Sequence, residues 1–404
     1  MTITVDDIRA ARGALKGAIA VTPAEPAPRL SELAGCELFL KLENQQHTGS
    51  FKERGALNKL KSLTADEARG GVIAMSAGNH AQAVAYHARR LGIRATIVMP
   101  GFTPFTKVER TESYGARVEL HGDTLSDAHE YAQKLAKNQG LTFVHPYDDP
   151  LVIAGQGTAA LEFLESCPDL DMLVVPIGGG GLIAGMAVAA KAVSPRLQVI
   201  GVEAEMYPSV KQALAGQPIV CSGATVAEGI AVKAPGKLTL PLIRDLVDDI
   251  VLCPESMLEQ AVYHMVTTQK LVAEGAGAAS LAAVLAQPER FRGRKVGLIV
   301  CGGNIDARIL AQVLMRGLVR EGRLVRLRIG ITDAPGALAK VAGLLGASGA
   351  NIVEVHHQRL FHDVPVKMAD VDVVLETRDR PHVEAILARL TAAGFPAELM
   401  TDVS

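Results

Sequence analysis

One lysine, Lys52, stands among small residues where the sequence pattern predicts the start of a helix. An amine at a helix N-terminus in a partly apolar site loses proton affinity and becomes a usable nucleophile and base. Most lysines on helices are simply exposed to solvent, and this is the alternative for Lys52 when its own stretch is considered alone. The rest of the chain must therefore decide between a chemical and an ordinary role for Lys52.

A run of four glycines follows the predicted strand 172–177 and precedes a helical pattern: Gly178, Gly179, Gly180 and Gly181. Bare backbone amides at a helix N-terminus can bind a phosphate. The run is not a P-loop, because no Lys-Ser/Thr pair follows it. Glu203 lies about 20 residues on, where the ribose-binding acid of a dinucleotide site would stand. A phosphate cradle, a dinucleotide site and a plain turn all remain open.

Two other predicted strands also end in groups that could bind a ligand. Strand 71–75 leads into Ser76, Ala77, Gly78, Asn79 and His80, which open a predicted helix. The amides of this turn could bind a carboxylate, and a simple N-cap formed by Asn79 is the alternative. Strand 295–300 ends at Cys301, where a parallel sheet collects ligands. A buried structural cysteine is the ordinary alternative there.

Alternating strands and helices position these motifs. Short apolar runs alternate with helical patterns from residue 41 to about residue 318, which predicts βαβ units and parallel sheets. The further strands predicted are 37–41, 95–99, 117–120 and 198–202. The helices predicted are 5–18, 80–91, 126–137 and 157–164.

The C-terminal part has a different pattern. Residues 325–331 alternate apolar and polar side chains, as in a half-buried antiparallel strand. A helix around 338–345, strands 352–355 and 371–375, helix 381–393 and strand 397–400 complete a βαββαβ order. This pattern predicts a second, smaller module.

Composition excludes several classes of function. The chain has 404 residues, 49% hydrophobic and 21% charged, with a net charge of -2, so we expect no nucleic-acid partner. No apolar run reaches the roughly 18 residues of a membrane span and no leader pattern is evident, which predicts a cytoplasmic protein without a membrane contact. Five scattered cysteines and no His-Glu-x-x-His motif predict neither disulfides nor a catalytic metal.

Four motifs in order resemble the threonine/serine dehydratases, pyridoxal-phosphate enzymes of the tryptophan synthase β-type fold. The motifs are residues 50–56, 76–80, 178–182 and 301–304, and the similarity covers roughly residues 8–318. Residues 324–400 resemble an ACT domain, a small module that commonly binds amino acids. The resemblance implies a catalytic domain over 1–320, with a smaller subdomain at about 48–147 inserted, and an ACT-like regulatory domain over 324–404.

The resemblance also implies the roles of individual residues. Lys52 would hold pyridoxal phosphate covalently and act as the base, and Ser76 to His80 would bind the substrate carboxylate. The other expected cofactor contacts are Phe51, Asn79 at the 3-hydroxyl, the glycine run with Leu182 at the phosphate, Glu274, and Cys301 at the ring nitrogen. Ala77 stands where related racemases carry a second serine, so racemisation is not expected.

The activity implied is β-elimination of the hydroxyl group of L-threonine, after which hydrolysis of the product gives 2-oxobutanoate and ammonia, with L-serine as a second substrate. Serine or 3-hydroxyaspartate as the main substrate remains open, as does a biosynthetic or a catabolic role. Isoleucine or valine is the expected effector of a homodimer or homotetramer. Two other classes also remain: a NAD-dependent dehydrogenase based on Gly179, Gly181 and Glu203, and an inactive amino-acid sensor.

Overall fold

The computed structural model describes residues 3–358 and 365–400. The chain forms two compact units, Met1–Asp306 and Ala307–Ser404. Of the predicted regulatory domain 324–404, residues 359–364 and 401–404 lie outside the described residues, as do residues 1–2 of the predicted catalytic domain. No helix in the described ranges is both long enough and apolar enough to cross a membrane.

The strands are numbered along the chain over the described residues. They are β1 (Ala24–Pro26), β2 (Glu37–Lys41), β3 (Val72–Met75), β4 (Ala95–Met99), β5 (Arg117–Leu120), β6 (Thr142–Phe143), β7 (Met172–Pro176), β8 (Gln198–Ala204), β9 (Asp249–Cys253), β10 (Lys295–Ile299), β11 (Leu324–Thr332), β12 (Asn351–Gln358), β13 (Met368–Glu376) and β14 (Ala397–Leu399).

The α-helices are numbered in the same way, and 3-10 turns lie at Glu43–Gln45 and Glu228–Ile230. The helices are α1 (Val5–Leu15), α2 (Pro28–Ala34), α3 (Lys52–Lys61), α4 (Ala65–Gly70), α5 (Asn79–Arg90), α6 (Phe105–Ser113), α7 (Leu125–Gln139), α8 (Pro150–Ser166), α9 (Gly181–Val193), α10 (Ser209–Leu214), α11 (Thr239–Leu246), α12 (Glu255–Thr267), α13 (Gly275–Ala286), α14 (Pro288–Phe291), α15 (Ala307–Arg320), α16 (Ala337–Ala347) and α17 (Arg380–Ala392).

The larger sheet of the first unit has six strands in the order β1-β2-β10-β7-β8-β9. All neighbours are parallel except β1 and β2. Strands β7 and β10 pair in parallel, so their carboxyl ends lie at the same edge of the sheet. The glycine run and Cys301 therefore emerge side by side, as the α/β prediction requires.

The smaller sheet of the first unit has the order β5-β4-β3-β6 and is parallel throughout. Its strands and helices α3 to α7 lie between β2 and α8 in the chain. Apolar side chains of α5, β3 and β4 form one buried cluster, which includes Val84, Val72 and Ile97. This subdomain carries Lys52 at the start of α3 and Asn79 at the start of α5.

The second unit confirms the predicted βαββαβ order, here β11-α16-β12-β13-α17-β14. Its antiparallel sheet has the order β12-β13-β11-β14. The inward-facing side chains of β11 and β13, among them Leu327, Ile329, Val371 and Leu375, pack with α16 and α17 in one core. The strand period of two places all of them on one face.

The prediction missed β1, β6 and the helices α2, α4, α6 and α10 to α15. Two further differences have a clear physical reason. Helix α8 begins at Pro150 instead of residue 157, because Asp149 caps it by accepting from the amides of Leu151 and Val152. Proline at the first position suits this start. Strand β9 was not predicted, although its sequence Asp249-Ile-Val-Leu-Cys253 is a short apolar run. Such a run is compatible with either a strand or a buried helix until its neighbours are known.

A buried ionic cluster joins the two subdomains of the first unit. The Arg54 guanidinium contacts the carboxylates of Glu43 and Glu162, each at 2.7 Å, and Lys41 Nζ lies 2.7 Å from Glu162. Arg54 and Glu43 are both 0% exposed. Burial favours a neutral Glu43, but Arg54 and Lys41 outweigh it and lower the pKa of Glu43 to about 2. The cluster holds α3 against α8 and the 3-10 turn after β2.

Replacement of Arg54 by leucine tests the importance of this cluster. We expect Arg54→Leu to lower the free energy of unfolding by about 3–5 kcal/mol near neutral pH, because the buried Glu43 carboxylate loses its guanidinium partner and Glu162 keeps only Lys41. Chemical denaturation with circular dichroism measures this change. Arg9→Leu, which removes an exposed ion pair with Asp6, should change stability by less than about 1 kcal/mol.

The same experiment has a defined pH dependence. Because the folded-state pKa of Glu43 is lowered from 4.5 to about 2, its charge stabilises the wild type above pH 4.5 and that contribution is lost as the pH falls towards 2. The stability difference between the wild type and Arg54→Leu should narrow over this range. A difference that does not change with pH would show that the cluster is not held by the Glu43 charge.

Candidate functional site

Lys52 is the first residue of α3, and its side chain is half-buried. Its Nζ donates to the carbonyl of Pro146 at 2.7 Å. Burial lowers the pKa of Lys52 to about 8, although Cys301 and Glu274 favour its charged form. The amine is therefore neutral far more often than that of an ordinary lysine at the same pH. This placement supports the chemical role for Lys52 over a solvated one.

The segment before Lys52 is attached to the large sheet. Ser50 forms an antiparallel bridge with Gly302, and the Phe51 amide donates to the Cys301 carbonyl at 3.0 Å. The Lys52 amine also lies 5.1 Å from the centre of the Phe51 ring. Lys52 is thus fixed beside the carboxyl end of β10.

The four glycines form a tight turn between β7 and α9. Gly180 has a positive φ of 94° and is the N-cap of α9. A Cβ on Gly179 would lie 2.4 Å from the Tyr147 ring, and one on Gly181 would lie 2.9 Å from Tyr147 atoms. Side chains are sterically excluded here, so only glycine can present this row of amides. Leu182 follows in the first turn of α9 and is buried.

Asn79 does not cap α5. Gly78 is the N-cap, and Asn79 is the first helical residue. The Asn79 side chain crosses to the large subdomain, where its Nδ2 donates to Glu274 Oε1 at 2.6 Å. Burial raises the pKa of Glu274 to about 7, although the bond from Asn79 lowers it. The simple capping alternative is therefore wrong, and the structure brings Asn79 and Glu274 together.

The turn from Ser76 to His80 places backbone amides at the N-terminus of α5. Ser76 Oγ accepts from the Gly78 amide at 3.1 Å, while Ala77 packs against the small-subdomain core. His80 is buried, and its Nε2 lies 2.9 Å from the Val144 carbonyl, so Nε2 carries the hydrogen. Burial lowers the pKa of His80 to about 3. A neutral histidine leaves the helix N-terminus as the source of positive potential for an anion.

Cys301 lies at the carboxyl end of β10 and is buried. Burial raises the pKa of its thiol well above the usual value. A group in this position acts as a neutral hydrogen-bond partner and not as a thiolate. The structure brings Cys301 together with Lys52 and Glu274, since both contribute to its electrostatic environment.

Glu203 does not belong to this group. It is fully buried, and its two carboxylate oxygens accept from the amides of Val210 and Lys211 at 2.8 and 2.9 Å. It therefore caps α10 and has both oxygens engaged. The dinucleotide alternative needs this carboxylate for a ribose, so the geometry removes its main support.

Three residues of the site were not predicted from the sequence. Pro146 and Tyr147 contact Lys52 and the glycine turn respectively, and Asn304 donates to Asn79 Oδ1 at 2.8 Å. Pro146 acts through its carbonyl, so no side-chain pattern could reveal it. Asn304 follows Cys301 in the fourth motif, and that position was the available signal.

Comparison with known proteins gives consistent matches over most of the chain. Residues 15–302 match the family described as pyridoxal-phosphate dependent enzyme, and residues 325–394 match the ACT domain. The L-threonine ammonia-lyase of Thermotoga maritima is 44% identical over 400 residues, covering 98% of this chain and 100% of that protein. The catabolic L-threonine dehydratase TdcB of Escherichia coli K12 is 44% identical and covers 78% of this chain and 96% of its own length.

Comparison with solved structures also finds a threonine deaminase and a serine racemase. The processed form of threonine deaminase isoform 2 from Solanum lycopersicum has a TM-score of 0.72 and 34% identity, covering 77% of this chain and 86% of that one. Serine racemase of Dictyostelium discoideum has a TM-score of 0.71 and 35% identity, covering 76% and 100%. The predicted fold class is confirmed. The chain therefore belongs to the family of pyridoxal-phosphate dependent enzymes, with an ACT domain in its C-terminal part.

Proposed function

We propose that this protein is a threonine ammonia-lyase that converts L-threonine to 2-oxobutanoate and ammonia and also acts on L-serine. The observation that carries the proposal is the buried Lys52 amine, whose pKa is lowered to about 8. The amine donates to the Pro146 carbonyl, and the next residue, Tyr147, packs against the glycine turn. Relatives 44% identical to the chain have this name, which supports the choice of substrate.

The residues present fit pyridoxal phosphate. A glycine turn that side chains would fill, at the N-terminus of the 13-residue helix α9, suits a phosphate group. In this proposal Gly178 to Gly181 and Leu182 would hold the phosphate, Lys52 would bind the cofactor covalently, and Phe51 and Glu274 would lie beside it. Asn79 would face the 3-oxygen and Cys301 the ring nitrogen.

When bound, pyridoxal phosphate supplies an electron sink that stabilises the negative charge left on Cα after proton removal. Lys52 in its neutral form accepts that proton, and burial keeps a large neutral fraction near pH 8. The Cys301 thiol stays neutral and donates no full proton to the ring nitrogen. This favours loss of the β-hydroxyl over a long-lived carbanion.

The substrate carboxylate is assigned to the N-terminal turn of α5. The amides of Asn79, His80 and Ala81 point out of the helix end, and the neutral His80 adds no charge. Ala77 offers only a methyl group, so no side chain there protonates the opposite face of Cα. This separates the proposed lyase from the racemases with a similar fold.

Removal of the Lys52 amine is the first test. We expect purified wild-type protein to absorb visible light through its bound cofactor and Lys52→Ala to lose that absorbance. Formation of 2-oxobutanoate from threonine should fall by at least about 10²–10⁴-fold, since the base is gone. Lys61→Ala removes an exposed lysine of the same helix and should retain both properties.

Initial rates with threonine, serine and 3-hydroxyaspartate complete this test, because they rank the three substrates directly. A colourless wild type that binds NAD would refute the proposal. A coloured wild type that turns over none of these substrates would identify the chain as a sensor instead.

A second test uses the pKa of Lys52. Covalent attachment of the cofactor needs the neutral amine, so its rate in apo-enzyme should rise with pH and level off above about 8. Stopped-flow absorbance after mixing with pyridoxal phosphate measures this rate, and Nα-acetyl-lysine in solution is the reference. A midpoint near the ordinary lysine value of 10.5 would contradict a buried amine.

For the ACT domain we propose binding of isoleucine or valine at an interface between chains of a homodimer or homotetramer. Strand β12 lies at the edge of the sheet, and its Val353 and Val355 are 51% and 42% exposed. Exposed valines on an edge strand favour pairing with another edge. An ACT domain that binds an amino acid there would regulate the lyase through the oligomer.

A lysine on this edge tests the assembly. We expect Val355→Lys to weaken self-association in analytical ultracentrifugation and to abolish the change in initial rate caused by isoleucine or valine, since an edge lysine opposes strand pairing. Val366 is 99% exposed and lies outside the strands, so Val366→Lys is the matched control. An unchanged effector response in Val355→Lys would refute this interface.

A further inference from the structure

Asn304 connects the two subdomains at the candidate site. Its Nδ2 donates to the Thr48 carbonyl at 2.7 Å and to Asn79 Oδ1 at 2.8 Å. A carboxamide nitrogen has two hydrogens, so both are engaged. One side chain therefore links the loop before α3 to the first residue of α5.

These bonds fix the orientation of the Asn79 carboxamide. Its Oδ1 faces a donor, Asn304 Nδ2, and its Nδ2 faces an acceptor, Glu274 Oε1. A rotation of the amide by 180° would set nitrogen against nitrogen and oxygen against oxygen. That arrangement loses both hydrogen bonds and brings like partial charges together.

Asn304 is itself held in place. The Thr48 amide donates to buried Glu53, and Glu53 Oε2 lies 3.0 Å from His87 Nε2. A Cβ on Gly49 would lie 2.7 Å from Asn304 Oδ1, and Gly49 has a positive φ of 76°. The backbone of the loop therefore approaches the amide closely, and a hydrogen-bonded chain runs from His87 to Glu274.

We propose that Asn304 is a positioning residue that sets the orientation of the Asn79 carboxamide, so that the Asn79 Nδ2 is the group available to the oxygen of the bound cofactor. This rests on the proposed function, because Asn79 faces the cofactor only in that case. Asn304 acts through Asn79 and touches no reacting atom. The second N–H of Asn79 Nδ2 would donate a hydrogen bond to the cofactor oxygen.

Cofactor affinity of the apo-enzyme is the primary measurement, by equilibrium titration with pyridoxal phosphate. We expect Asn304→Ala to weaken binding about tenfold, because Asn79 loses one of its two fixed partners. Asn304→Asp keeps the shape but places a carboxylate against the oxygens of Thr48 and Asn79, and it should weaken binding at least as much. Asn351→Ala is the control, since Asn351 Nδ2 donates to Glu376 in the second unit; it should change affinity less than about twofold.

A double-mutant cycle separates positioning from general support of the structure. If Asn304 acts through Asn79, the variant Asn79→Ala/Asn304→Ala binds the cofactor no more weakly than Asn79→Ala alone. The absorbance of the bound cofactor in Asn304→Ala should shift in the same direction as in Asn79→Ala. Thermal unfolding of each apo-variant reports folding independently, and Asn304→Asp replaces Asn304→Ala in the cycle if the alanine variant does not fold.

Two results would overturn the inference: losses that multiply in the double variant, or cofactor affinity and absorbance in both Asn304 variants equal to those of the wild type. Failure of the proposed function looks different. In that case the wild type itself would bind no pyridoxal phosphate and form no 2-oxobutanoate, whatever residue stands at position 304.

Discussion

The site depends on the partial removal of one amine from water. Lys52 can be a base near neutral pH because burial opposes its charge. Groups packed around its half-buried side chain form the walls of the site. The walls come from both subdomains: the Pro146 carbonyl accepts from the amine, Phe51 lies beside it, and Cys301 and Glu274 are close enough to affect its charge. The candidate site of the first unit therefore lies at the junction of the two subdomains and not within either sheet.

Glycine makes that junction narrow. A Cβ on Gly302 would lie 2.2 Å from Glu274 Oε1, so glycine at this position leaves room for the carboxylate. A Cβ on Gly277 would lie 2.0 Å from the Gly302 carbonyl oxygen. The tetraglycine turn meets Tyr147 in the same way. These contacts leave room for a row of amides but for no side chains, which supports the phosphate site proposed for the glycine turn.

Much of this arrangement could be predicted from the sequence, because parallel strands deliver their carboxyl ends to one edge. The positions of the glycine run and Cys301 followed from that rule, whereas Lys52 was singled out by its small neighbours at the start of a predicted helix. What could not be predicted are the ties between distant segments: Arg54 with Glu162, and Asn304 with Asn79. Each joins side chains more than 100 residues apart, and no local period or turn signal encodes such a pair. Glu203 shows the converse, since its spacing fitted a ribose-binding acid while its carboxylate caps a short helix.

The smaller subdomain is inserted between β2 and α8, and the segments near its two ends meet where Lys52 donates to the Pro146 carbonyl. This contact closes a loop of more than 90 residues at a single nitrogen. The surroundings of that nitrogen therefore exist only when the whole insertion is folded, so folding of the smaller subdomain and assembly of the site are one event.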